Sequence, residues 1–238
     1  MKLSIRSLVV ASTAGVGLAA LAPVCSAQTV TLNLNAPFQF GQGGEFVATP
    51  SGFPAVPLSL TSDGNFQTFC VQTKVEFSPG STYSVYFAPV GGSGTPQLTE
   101  AAAYLYDQFI RGVLPNYDFP DTFGQRQVDA GALQYALWNL EGQDTSGLVA
   151  DPNPALTDFF VNLAIGNAVP GDFHGVSIMV MYTGDLDNPS FAQNQLVEFA
   201  PAPGAMALLG LGGLAAGRRR RYAVREQARR ALRVPART

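Results

Sequence analysis

Thr82-Tyr83-Ser84-Val85-Tyr86-Phe87 and, a short stretch later, Leu98-Thr99-Glu100-Ala101-Ala102-Ala103-Tyr104-Leu105-Tyr106-Asp107-Gln108-Phe109 carry two different apolar periods. In the first, Tyr83, Val85 and Phe87 recur at every second position, the spacing of a strand with one buried face. In the second, Leu98, Ala102, Leu105, Tyr106 and Phe109 recur at helical spacing along one face. Thr99 is placed to start that helix, with Thr95 before Pro96 as a competing start.

Working outward, the strand period fills the chain from Thr29 to about Val90. Val30, Leu32 and Leu34, and then Phe66, Phe69 and Val71, are separated by Gly, Pro, Ser and Asn turns. The helical period runs from Gln97 to about Leu163. Leu133, Ala136, Leu137 and Leu140 share a face of a second helix, and Asn153 is placed to cap a third over Pro154 to Ile165. Alternation returns at Val176 to Tyr182 and at Gln195 to Phe199. The expectation is an α+β fold, a β-rich sandwich or barrel-like body with an inserted helical subdomain.

The two ends read as addresses. Lys2 and Arg6 precede the apolar segment Leu8 to Leu21, and Cys25-Ser26-Ala27 offers the small residues a signal peptidase accepts, so residues 1–27 are expected to be a signal peptide. A lipoprotein reading of Cys25 is weaker, because Val24 stands where a small residue is wanted. At the other end, Pro201-Ala202-Pro203 leads into an apolar, glycine-laced run from Gly204 to Gly217, followed by Arg218, Arg219, Arg220 and Arg221. Arginines after an apolar run stay on the cytoplasmic side of a membrane, so residues 28–200 face outward. The run of fourteen residues spans roughly 21 Å at about 1.5 Å per residue, short of a hydrocarbon core about 30 Å thick. That length suits a transient signal better than a permanent anchor, the alternative being a short transmembrane helix that is never cut. Residues 222–238, with Arg225, Arg229, Arg230, Arg233 and Arg237, are expected to form a basic cytoplasmic tail near anionic lipid.

This C-terminal order of proline pair, short apolar helix and arginine cluster resembles the PEP-CTERM sorting signal over residues 201–221. The resemblance implies an exosortase-type processing enzyme as a partner, at least transient attachment to the membrane, and delivery to the cell envelope or extracellular matrix. Two departures stand out: Ala202 lies between the prolines where the family usually has Glu, and the chain continues to Thr238.

Between Gln28 and Ala200 only Lys74, Arg111 and Arg126 are basic, against sixteen acids, a net charge of −13. Nucleic acid is excluded as a partner of this domain, since phosphate contacts need clustered cations. So acidic a surface is also repelled by anionic polysaccharide unless cations bridge the two. With Cys25 removed, Cys70 is the one thiol of the exported chain and has no internal disulfide partner.

Cys70 sits in Phe69-Cys70-Val71, within a predicted strand, and the second helix carries Leu133-Gln134-Tyr135-Ala136-Leu137-Trp138. Together these segments resemble the thioester domains of bacterial surface adhesins. The resemblance implies Cys70 as the thiol and Gln134 as the acyl donor of an internal thioester, shielded by Phe69, Leu137 and Trp138. It also implies adhesion, by covalent attachment to a cell-surface or matrix polymer or protein, without a cofactor. The family commonly has Thr before the glutamine, where this chain has Leu133. The competing reading of the residues alone is a buried, inert cysteine and an ordinary helical glutamine.

Other chemistry is thinly represented. His174 is the single histidine, so zinc sites lack ligands and a Ser-His-Asp triad would have to be built on it. Asp185, Asp187 and Asn188 begin like a calcium loop, but Pro189 follows and the closing glutamate is missing. No spacing among the acids selects a glycosidase pair. The sequence therefore predicts no enzyme, no catalytic residue, no metal site and no cofactor. A noncovalent matrix module of the same fold and a secreted polysaccharide hydrolase are the alternatives.

Overall fold

The computed structural model describes residues 27–59, 61–88, 98–185 and 187–200; segments 1–26 and 201–238, with the leader and the sorting signal, lie outside them. Among the described residues seven strands form one antiparallel sheet: β1 (Thr29–Phe40), β2 (Gly43–Ser51), β3 (Phe66–Thr68), β4 (Thr82–Ala88), β5 (Val176–Thr183), β6 (Ser190–Phe191) and β7 (Gln195–Glu198). Their order is β3-β2-β1-β4-β5-β6, with β7 also paired to β5. Three helices, α1 (Glu100–Ile110), α2 (Arg126–Leu140) and α3 (Pro154–Asn167), are inserted between β4 and β5. The fold is α+β with a β-rich body, as the change of period predicts.

Side-chain caps explain the starts of α1 and α3. Thr99 accepts from the Ala102 N–H and Asn153 from the Leu156 N–H, each meeting a donor that the first turn leaves orphaned. Thr99 in turn donates its backbone N–H and its hydroxyl to Glu141 Oε1, both at 2.9 Å, which ties the start of α1 to the end of α2.

Two apolar clusters divide the interior. One collects the helices and a sheet face: Leu98, Leu105, Phe109, Leu133 and Leu137 pack with Val176, Ile178 and Val180. The other gathers alternate residues of the strands, Val30, Leu32, Phe46, Phe66, Tyr83, Val85, Met179, Met181 and Val197, around Cys70 and Trp138. Because successive strand side chains point to opposite faces, β5 feeds both clusters, and its near-continuous apolar run follows from that. The expected alternation fails at Leu34, which is 42% exposed; the β1–β2 register shifts between Leu34 and Gln39, so the face is lost there.

The sheet is not closed into a barrel. Between β3 and β7 the ladder is replaced by one isolated bridge, Cys70 to Gln195, with Val71 N–H donating to Asn194 C=O at 2.9 Å and Leu196 N–H to Phe69 C=O at 3.1 Å. Cys70 thus lies just past the end of β3, at this seam, rather than inside a regular strand. β3 stops at Thr68 because the segment beyond it changes partner from β2 to β7.

All three basic side chains of the described residues are paired with acids. Lys74 meets Asp144 at 2.7 Å on the surface, and Arg126 binds fully buried Glu45 through Nε at 2.6 Å. Arg111 bridges Asp107 and Glu198, its Nη2 lying 2.6 Å from Glu198 Oε1. Glu198 is buried, and its Oε2 has no partner among the described residues. Burial and the neighbouring Asp107 carboxylate push its pKa up to about 8, against the opposing pull of Arg111.

The raised value fixes a sign. The folded chain holds this proton more tightly than the unfolded chain does, so the contribution of Glu198 to stability falls as pH rises from about 4.5 to about 8 and is flat beyond. Glu198→Gln should remove that slope and stabilise the protein at pH 9 by about 1–3 kcal/mol, with little change at pH 4. Urea midpoints of both proteins across this range provide the measurement, and parallel curves would exclude Glu198 as the source.

Candidate functional site

Helix α2 is buried on two sides, which gives Gln134 its place. Leu133, Ala136 and Leu137 face the helical cluster, while Trp138, one turn on from Gln134, enters the sheet-side cluster. Gln134 therefore leaves the helix toward the seam instead of toward solvent and is only 1% exposed.

At the seam it meets Cys70. The Cys70 backbone N–H donates to Gln134 Oε1 at 3.0 Å, and Gln134 Nε2 donates to the Cys70 carbonyl at 2.8 Å. The carboxamide thus pairs with the backbone of Cys70 as a neighbouring strand would. Two residues 64 positions apart, named as a pair by the resemblance, are held together in a place closed to water.

The approach is permitted by glycines. A Cβ on Gly43 would lie 2.4 Å from Gln134 Cγ and 2.9 Å from the Trp138 ring, and one on Gly131 would lie 2.6 Å from Pro152 and 2.9 Å from Phe40. Neither contact is physically allowed, so both positions must lack a side chain for α2 to sit against the β1–β2 hairpin. A pocket of about 10 Å³, room for roughly one water, adjoins Gln134 between this hairpin, Trp138 and Val149.

A second amide reaches the thiol itself. Gln195, opposite Cys70 in the isolated bridge and fully buried, places Nε2 3.7 Å from Cys70 Sγ. Burial pushes the thiol far above its ordinary value, and the Gln195 contact pulls the other way. Nothing in the sequence marks Gln195: its one signal is polarity at the head of a short strand, Gln195-Leu196-Val197-Glu198, whose other end is polar too.

Of the three predicted shields, Trp138 shares a cluster with Cys70. Phe69 and Leu137 pack in the helical cluster, where Phe69 meets the Phe109 ring edge-on at 4.9 Å. Neighbours along an extended chain point to opposite faces, so Phe69 backs the seam while Cys70 faces the sheet interior. The sorting residues Pro201, Ala202, Pro203 and Arg218 to Arg221 lie outside the described residues.

Elsewhere little converges. His174 Nε2 is buried without a hydrogen-bond partner among the described residues, and Nδ1 lies 3.8 Å from Asp172. Among the described residues no hydroxyl is hydrogen-bonded to its Nε2, as a triad would require. Among the described residues no group of three or more His, Cys, Asp or Glu side chains could hold a metal ion, and no helix is long and apolar enough to cross a membrane. No family model, curated protein or solved structure matches this chain.

Chemically, the arrangement holds a buried, polarised amide against the backbone of the residue that bears the thiol. The Cys70 N–H points at Oε1, the atom that becomes negative if the carboxamide carbon is attacked. Removing the clamp should be costly, because Gln134→Ala strands a buried N–H and C=O: about 2–4 kcal/mol by denaturant titration. Gly43→Ala should also destabilise wild type, but distinctly less in the Gln134→Ala background, where the closest clash is gone. Additive losses in that double-mutant cycle would disprove the contact.

Proposed function

We propose that this chain is an exported bacterial surface or extracellular-matrix protein, sorted by its C-terminal PEP-CTERM-like signal. Its outer domain attaches covalently to a partner through a thioester between Cys70 and Gln134. The observation that carries this reading is the two-point bonding of the Gln134 carboxamide to Cys70 in a fully buried site.

In bond formation Cys70 sulfur attacks Gln134 Cδ, the Sγ–H and Cδ–Nε2 bonds break, and ammonia carries off the amide nitrogen. The Cys70 N–H then continues to polarise Oε1. An amine or hydroxyl of a cell-surface or matrix polymer or protein subsequently attacks Cδ, and Cys70 leaves as a thiol. The protein remains joined to its target through Gln134, spent after one event, so it is not an enzyme in the turnover sense. An exosortase-type enzyme and the membrane take part in delivery.

A second reading has its own support. Gln134 Nε2 is satisfied by the Cys70 carbonyl, as in an amide that stays an amide and only locks helix to seam; the chain is then a noncovalent matrix module. Intact mass separates the two. The purified wild-type chain should be about 17 Da lighter than its sequence requires, the mass of ammonia, and Cys70→Ala should show its full mass. Methylamine should add to the wild type at Gln134 and abolish attachment. A wild-type chain at full sequence mass would leave the noncovalent module.

A further inference from the structure

Cys70 stands between two buried carboxamides with different tasks. Gln134 is bonded to its backbone, whereas Gln195 reaches its sulfur. Cys70 belongs to the sheet-side apolar cluster with Phe66, Trp138, Met179 and Val197. The Gln195 N–H donates to Sγ from a side chain.

We propose that Gln195 is a positioning residue for this thiol: its side-chain N–H holds Sγ and stabilises the negative charge that gathers on sulfur when the Cys70–Gln134 bond forms and when it opens. The proposal rests on the thioester reading and adds to it a residue outside the bonded pair.

The backbone makes Gln195 a fixed platform. It faces Cys70 across the isolated bridge, and the bonds from Val71 to Asn194 and from Leu196 to Phe69 clamp the two segments on either side. Thr68 sits beside it, its hydroxyl 3.5 Å from Gln195 Oε1 and 2.5 Å from the Leu196 carbonyl. A side chain so enclosed loses little further freedom when it engages sulfur.

The electron count shows why a donor belongs there. On opening, the nitrogen of an incoming amine bonds to Gln134 Cδ, the Cδ–Sγ bond breaks, and its electron pair passes to sulfur, which then takes the amine proton. No oxidant or reductant takes part. Charge appears on two atoms during this exchange, Oε1 and Sγ, and each has one fixed N–H facing it: that of Cys70 for the oxygen and that of Gln195 for the sulfur. Burial resists charge on sulfur, so a single donor has a large influence.

The test uses the full chain as wild type, Gln195→Met, which keeps length and removes the donor, and Gln195→Glu, which keeps shape and donates only while protonated. Hydroxylamine is the probe, and mass spectrometry follows opening from pH 5 to pH 9. Gln195→Met should open about tenfold more slowly, or arrive folded at full mass because the bond never formed. The rate of Gln195→Glu relative to wild type at the same pH should fall as its carboxyl ionises, which a purely structural role would not produce. That ratio keeps the proposal testable if the methionine variant does not fold. A light wild type with both variants opening at the wild-type rate at every pH would overturn the role of Gln195 and leave the thioester standing. A hydroxylamine adduct on Gln195 would overturn it too, by making Gln195 the acyl donor. A wild type at full mass would overturn the thioester itself, and this role with it.

Discussion

The backbone of Cys70 needs a partner that the sheet does not supply, and the rest of the site is arranged around meeting that need. The β2–β3 ladder pairs Phe46 with Thr68; continued by the same register, it would set Gly44 against Cys70. The ladder ends before it gets there, because the segment after Thr68 turns to β7. A buried N–H and C=O left open would cost a few kcal/mol. Gln134 fills the gap with a carboxamide, the side-chain group that carries the same donor and acceptor as a peptide.

Meeting this need constrains the neighbours. A helix can deliver a side chain into the edge of a sheet only by coming closer than side chains normally allow, and Gly43 and Gly131 create the space. The N-terminal end of α2 is then pinned by charge: Arg126 spans to Glu45, which also accepts from Tyr117 and Asn35, so a fully buried carboxylate is satisfied on every side. Such a network registers helix against strand more than it stabilises, because the desolvation of Glu45 offsets much of the attraction. Its value lies in where it leaves Gln134, two turns further along the same helix.

Much of this was legible in the sequence, for reasons that differ by feature. The caps Thr99 and Asn153 and the helix faces were readable because their causes are local, lying within one turn. Tyr83 and Val85 read correctly because β4 is regular, whereas Leu34 misled because a register shift is decided by the partner strand. Cys70 and Gln134 were linked by resemblance alone, since nothing in either segment measures a distance across 64 residues. Phe69 is adjacent to Cys70 in sequence yet packs in the helical cluster, because successive side chains of an extended chain point to opposite faces, which adjacency alone does not reveal. Gln195 was invisible because its role depends on a single isolated bridge between distant segments.

Dryness inside and charge outside set opposing conditions on the same chemistry. The burial that would keep a thioester from hydrolysis also pushes the Cys70 thiol upward, so the bond cannot rely on a standing thiolate. Charge has to develop only in transit, against fixed donors, and the seam offers one at each atom that would bear it. The exterior follows the reverse rule. With Lys74, Arg111 and Arg126 all paired to acids, no free cation among the described residues offsets the remaining carboxylates, and the domain presents a negative field. Such a field draws cationic groups toward the surface and holds polyanions away. Under the thioester reading, a partner bearing protonated amines is therefore concentrated near the domain, yet it must shed its proton and its water before it can reach Gln134. Under that reading, attraction at long range and exclusion at short range together make attachment selective.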